Sequence, residues 1–146
     1  MAPDPKPGSN AFEVLQKTIY GEARGESKAG QVAVAWVIKN RVDQNKSYWG
    51  GDSYEGVCMH PRQFECWNKG DIAVKELDAF NQIGAWLPTV FKDHPDLTKK
   101  ADHFHNPGTD TQNNPATGGK PNWLANVEKT VEIGDHRFYR TKFEFR

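Results

Sequence analysis

The segment YGEARGE places two carboxylates, Glu22 and Glu26, four residues apart and each preceded by a glycine. A carboxyl that projects from a helix end into open space can work as a general acid when burial against apolar or aromatic neighbours raises its pKa toward neutrality. Protonating a glycosidic oxygen needs such a group. Tyr20, two residues earlier, is a candidate for part of that wall and for contact with a substrate. Asp102, His103, His105 and His136 form a second set, because two histidines one residue apart on a strand point to the same side and could hold zinc. No HExxH motif accompanies them and no third ligand falls at a decisive spacing. Cys58 and Cys66 flank a short segment that a disulfide could close, with two reduced thiols as the equal alternative.

These groups need elements to position them. Asn10 with Glu13 has capping-box spacing, and Phe12, Leu15 and Ile19 then recur at helical spacing, which predicts a first helix from about Ala11 to Tyr20. Glu22 would sit where that helix gives way to a glycine-flanked turn. Ala29, Val32, Ala33, Trp36, Val37 and Ile38 form the apolar face of a second helix ending near Val42 and central to the core. Residues 43–70 show no sustained period and read as long loops, of the kind that border a cleft. A third helix is predicted from about Asp71, with Ile72, Leu77, Phe80 and Ile83 on one side and Pro88 beyond its end. Asp102–Asn106 and His136–Tyr139 suit short strands, separated by a Gly/Pro/Asn/Thr-rich excursion, Pro107–Asn122, expected to be a mobile loop. The sum is an α+β domain in which helix dominates.

Composition narrows the functions. The 146 residues suit one domain, 36% of them are apolar, and five Trp, eight Phe and four Tyr can fill a core and still line a groove. Nineteen basic residues balance nineteen acidic ones without a basic run, which argues against a nucleic-acid partner. Residues 1–10 carry three prolines and read as a disordered lead-in and not a secretory signal, and no apolar run approaches the length of a bilayer span. The expectation is therefore a chain made in the cytoplasm, with no membrane insertion, that depends on another agent to reach any substrate outside the membrane.

Four segments, in order, carry a family resemblance. TIYGEARGESKAGQVAVAWVIKNRV resembles the opening motif of the SleB/CwlJ-like cell-wall hydrolases, a family of spore-cortex-lytic enzymes and of phage and bacterial lysins. VCMHPRQFECWN resembles the family's Gln-Phe-Ser-Cys-Trp block, DLTKKADHFHNP its Asp-Pro-Thr-Gly-Ala-aromatic-Asn-Pro block, and IGDHRFYR its closing Ile-Gly-Asn-His-Phe-Tyr block. The resemblance implies a single lysozyme-like, transglycosylase-related domain over residues 11–146. It implies peptidoglycan as substrate, with cleavage between N-acetylmuramic acid and N-acetylglucosamine.

The same resemblance places the catalytic glutamate at Glu22 and leaves Glu26 as a structural acid near the start of the second helix, where its charge suits the helix dipole. It sets Gln63, Phe64 and Trp67 in a loop beside the groove, as sugar-stacking or hydroxyl-binding groups, with Asn40, Asn106, Trp123 and Tyr139 as further candidates. One assigned acid favours the route in which the muramic acid 6-hydroxyl attacks its own C1, leaving 1,6-anhydro ends. Glu65, where the family has Ser, and Asp102, where a small or apolar residue is common, each add a carboxylate that could orient water and give a hydrolytic muramidase. No metal or organic cofactor is expected, a zinc amidase or peptidase and a non-catalytic wall-binding module being the competing classes. A monomeric phage endolysin released with the help of a holin, or an enzyme carried in a virion, fits these expectations.

Overall fold

A computed structural model describes residues 2–61, 63–68, 70–109 and 121–146. Helix α1 spans Asn10–Ala23, and its cap is Ser9, one residue before the Asn10 that the spacing favours. The Ser9 hydroxyl accepts a hydrogen bond from Phe12 N at 3.2 Å. The helix continues through Gly21, Glu22 and Ala23 instead of ending near Tyr20. Tertiary packing overrides glycine's poor propensity here, since a Cβ at Gly21 would lie 2.5 Å from Cys66 Cβ. The Pro-rich lead-in is drawn into the fold: Ala2 packs against the main core.

Helix α2, Lys28–Gln44, is capped by Ser27 and is buried around most of its circumference from Gly30 to Val42, the signature of a central helix. One side meets α1 and the short helix α3, Tyr54–Met59. The segment expected to be loop throughout thus contains a helix, together with 3-10 turns at Ser47–Trp49 and Glu65–Trp67. The third predicted helix begins later than its apolar residues imply: α4 is Leu77–Trp86, followed by α5, Val90–Asp93. Residues 71–76 instead run non-helically past α1, held where the Tyr20 hydroxyl accepts hydrogen bonds from Lys75 N at 3.2 Å and Glu76 N at 2.9 Å.

Strands β1 (His103–His105), β2 (Val127–Ile133) and β3 (His136–Thr141) form an antiparallel sheet in the order β1-β3-β2. His103 pairs with Tyr139 and Phe104 with Phe138. β2 was not legible, because as an edge strand it exposes Glu128, Lys129 and Glu132, and a register shift between Lys129 and Val131 breaks its alternation. One face of the sheet packs Phe104 and Phe138 with Ala33, Val37 and Ala101 against α2. His103, His105 and Tyr139 lie on the other face. Of the predicted mobile excursion, residues 110–120 lie outside the described residues. Among the described residues no helix is long and apolar enough to cross a membrane.

Candidate active site

Glu22 occupies the last turn of α1 and borders an open groove of about 510 Å³ lined also by Gly21, Arg24, Gly25, Glu76, Asp78 and Ala79. Burial, and then the nearby charge of Glu65, raise its carboxyl from 4.5 to about 7. At neutral pH the group is therefore divided between its acid and base forms, the condition for one residue to give a proton and later retrieve one. The wall behind it is built from the segment 64–67. Cys66 packs directly on Gly21, and Trp67 donates its indole N–H to the Thr18 hydroxyl at 2.9 Å, one helical turn before Glu22. Thr18 itself donates to Val14 O at 2.7 Å, so the contact is locked from both ends. Its role was not legible, because Thr18 and Trp67 meet only through the fold.

The structure brings some predicted residues to Glu22 and assigns others elsewhere. Glu65 is exposed and close enough for its charge to be felt at Glu22. Asp102 is the correction: it is fully buried and neither borders the cleft nor lies on the surface. Its carboxylate accepts from Thr141 N at 2.9 Å and Gln44 Nε2 at 3.1 Å and meets His103 Nδ1 at 2.8 Å. Burial works against its ionised form, but the bonds from His103, Gln44 and Thr141 prevail and hold it below the usual carboxylate range. The proposed water-activating route through Asp102 is thereby removed.

Tyr20 is buried and clamps residues 75–76, so its ring serves the wall of the fold. Asn40 donates to Asp96 Oδ2 at 3.0 Å and Ala101 O at 2.9 Å, tying α2 to the segment before β1. Gln63 donates to Trp49 O at 3.1 Å and Val57 O at 2.7 Å, and Phe64 is buried against Phe104. These four side chains position the loops.

Trp123 and Tyr139 belong to an aromatic cluster on the outer face of the sheet. Trp123 lies 4.7 Å from His103, 5.6 Å from His105 and 5.4 Å from Tyr139 between ring centroids. The Tyr139 hydroxyl meets His105 Nε2 at 2.8 Å. His136 sits on the opposite face against Phe104, so the sheet separates the three histidines that a zinc reading would combine. Asn106 follows β1 and borders a smaller cavity of about 270 Å³ with Gly134, Asp135 and His136. Glu26 accepts a hydrogen bond from Asp135 N at 3.0 Å, which ties the β2–β3 turn to the segment just after Glu22. Cys58 and Cys66 are both free thiols, and burial pushes Cys58 up to about 12.

A helical domain with a small sheet that holds a carboxyl of raised pKa in an open groove, beside Glu76 and Asp78, is of the lysozyme-like class. The chain belongs to the cell wall hydrolase family, whose profile matches residues 25–139. That stretch opens just after Glu22, so the residue's standing rests on its geometry. The spore cortex-lytic enzyme of Oceanobacillus iheyensis is 32% identical over 134 residues, 88% of this chain and 41% of the relative. The Bacillus subtilis enzyme of the same description is 33% identical over 135 residues, 89% and 37% of the two chains. The chain therefore spans about two fifths of the length of these curated relatives. Among solved structures, the catalytic domain of the germination-specific lytic transglycosylase SleB from Bacillus anthracis superposes with a TM-score of 0.67 at 29% identity, covering 93% of this chain and 99% of that one. The catalytic domain of the Bacillus cereus SleB protein gives 0.64 at 29% identity, with 95% of each chain covered.

Proposed function

We propose that the protein cleaves peptidoglycan glycan strands between N-acetylmuramic acid and N-acetylglucosamine as a lytic transglycosylase, with Glu22 as both acid and base. The observation that carries this reading is a single carboxyl raised to about 7 at the edge of an open groove. Protonated Glu22 donates to the bridging oxygen as the bond to muramic acid C1 breaks. The muramic acid 6-hydroxyl then closes on C1, and its proton returns to Glu22. Atoms balance without water, and the product ends in a 1,6-anhydro ring. Such acid/base work supplies on the order of a hundredfold to ten-thousandfold, the rest coming from substrate positioning and electrostatics. The half-buried rings of Trp123 and Trp67 offer aromatic faces for sugar rings, and no step calls on a metal or organic cofactor.

A hydrolytic muramidase is the second reading, favoured by one observation: the charge of Glu65 reaches Glu22. Mass spectrometry of fragments from purified sacculi separates the two. Anhydro ends, lighter by one water and resistant to borohydride, are the expected product, whereas reducible muramic acid ends would transfer the reaction to water. Glu22→Gln should fold yet lose nearly all release of fragments. A fully active Gln variant removes Glu22 from the chemistry.

On the same reading the protein is a monomeric phage endolysin that reaches the wall when a holin opens the membrane, a role supported by the resemblance to a family that includes phage lysins. Expression inside a bacterium should cause lysis only when a membrane-permeabilising protein is co-expressed.

A further inference from the structure

At the far end of α2 from Glu22 lies a cavity of about 310 Å³ lined by Asn40, Gln44, Lys46, Lys100, Arg140 and Arg146. Gln31 on α2 bonds to Ala23 O beside Glu22. Asn40 and Gln44 lie nine and thirteen residues further on, about 14–20 Å along the helix at its usual rise. Four cations from separate parts of the chain therefore converge outside the groove already described. We propose that this cavity is a binding site for a phosphate-bearing anion.

Three observations carry the assignment. Among the described residues Lys46, Lys100 and Arg140 have no carboxylate partner, whereas Arg146 donates its Nε to Thr141 O at 2.7 Å and stands 3.6 Å from Glu128. Of the acids around the cavity, Asp96 has its oxygens taken by Asn40 Nδ2, Thr98 N and Oγ1, and Lys100 N, Asp102 accepts from Gln44, and Glu128 stands opposite Arg140 in the β2–β3 register. The negative end of the α2 dipole does not account for four charges, since Arg41 already stands in its last turn. Finally, Lys99 and Lys100 both adopt the left-handed conformation, at φ 57° and 65°. Two consecutive lysines in a region that favours glycine are strained, and strain of this kind is kept where a side chain is needed in place. Here it sets Lys100 on the cavity. The Arg140 guanidinium fork with two ammonium groups, and Arg146 at their edge, suit the several oxygens of a phosphate better than a single carboxylate.

Titration calorimetry on the full chain tests the site with inorganic pyrophosphate, a poly(glycerol phosphate) chain and a tricarboxylate peptide. Saturable binding of pyrophosphate is expected, weakened at least tenfold in the Lys46→Gln/Arg140→Gln double variant. Binding of the polymer as well points to a polymer-borne phosphate, and of pyrophosphate alone to a free one; either supports the assignment. Lys100→Gly supplies an independent readout, because it should raise Tm by relieving strain while weakening pyrophosphate binding. No saturable binding at physiological salt, unchanged binding in the double variant, or a peptide that binds as tightly as pyrophosphate would each overturn it. Activity on wall glycan stripped of phosphate polymers should be the same in these variants, so the fate of this site and that of Glu22 are read separately.

Discussion

Glu22 keeps its proton toward neutral pH because of where it sits: the last turn of a rigid helix, with a groove on one side and the 64–67 wall on the other. Its pKa is raised first by burial and second by Glu65. On the proposed mechanism the proton is on Glu22 at the start of the reaction, so kcat/KM on soluble glycan should fall as pH rises through about 7. Glu65→Gln removes the neighbouring negative charge and makes ionisation of Glu22 easier. Its alkaline limb should therefore move to lower pH, by less than the burial effect that remains. If Glu65 instead activated water, the same variant would lose kcat at every pH, and a pH series distinguishes the two outcomes.

The site depends on elements that meet far apart in sequence, with α1 pressed onto the turn Glu65–Trp67 through Gly21 and Cys66. Gly21→Ala would place its Cβ 2.5 Å from Cys66 Cβ, an atom too near its own backbone to move aside cheaply. Overpacking of this sort costs about 1–3 kcal/mol, and it should also displace Glu22, lowering kcat at least tenfold. Cys66→Gly in the same chain should restore activity by reopening the space; an active Gly21→Ala single variant would show that the contact does not position Glu22. Much of this was legible beforehand. The helical spacing of Val32 to Ile38 marked α2 as central, and the family resemblance of the YGEARGE segment pointed to Glu22, which the structure sets at the edge of a groove. What stayed hidden was tertiary: Asp102 reads as a stray acid until Thr141 N and Gln44 reach it, the Tyr20 hydroxyl gives no sign that it holds residues 75–76, and β2 hides behind the charges that protect a sheet edge.

Across the whole molecule, the raised pKa of Glu22 ties the proposed catalysis to stability. The folded protein holds this proton up to about 7, while the unfolded chain releases it near 4.5. Between those values the native state binds more protons, so stability declines as pH rises and the loss is complete above the folded pKa, amounting to at most about 3 kcal/mol. Glu22→Gln has no charge to bury. Its Tm should exceed that of the wild type above neutral pH by several degrees, at about 3 °C per kcal/mol for a chain of this size, and the two should converge at about pH 4. Differential scanning calorimetry across that range checks the sign as well as the size. A variant that is less stable at every pH would mean that the ionised carboxylate is held by partners in the fold, and Glu22 would then be a structural acid like Asp102. The expected crossing pattern, stability gained where activity is lost, is what a carboxyl kept in an unfavourable environment for its chemistry should produce.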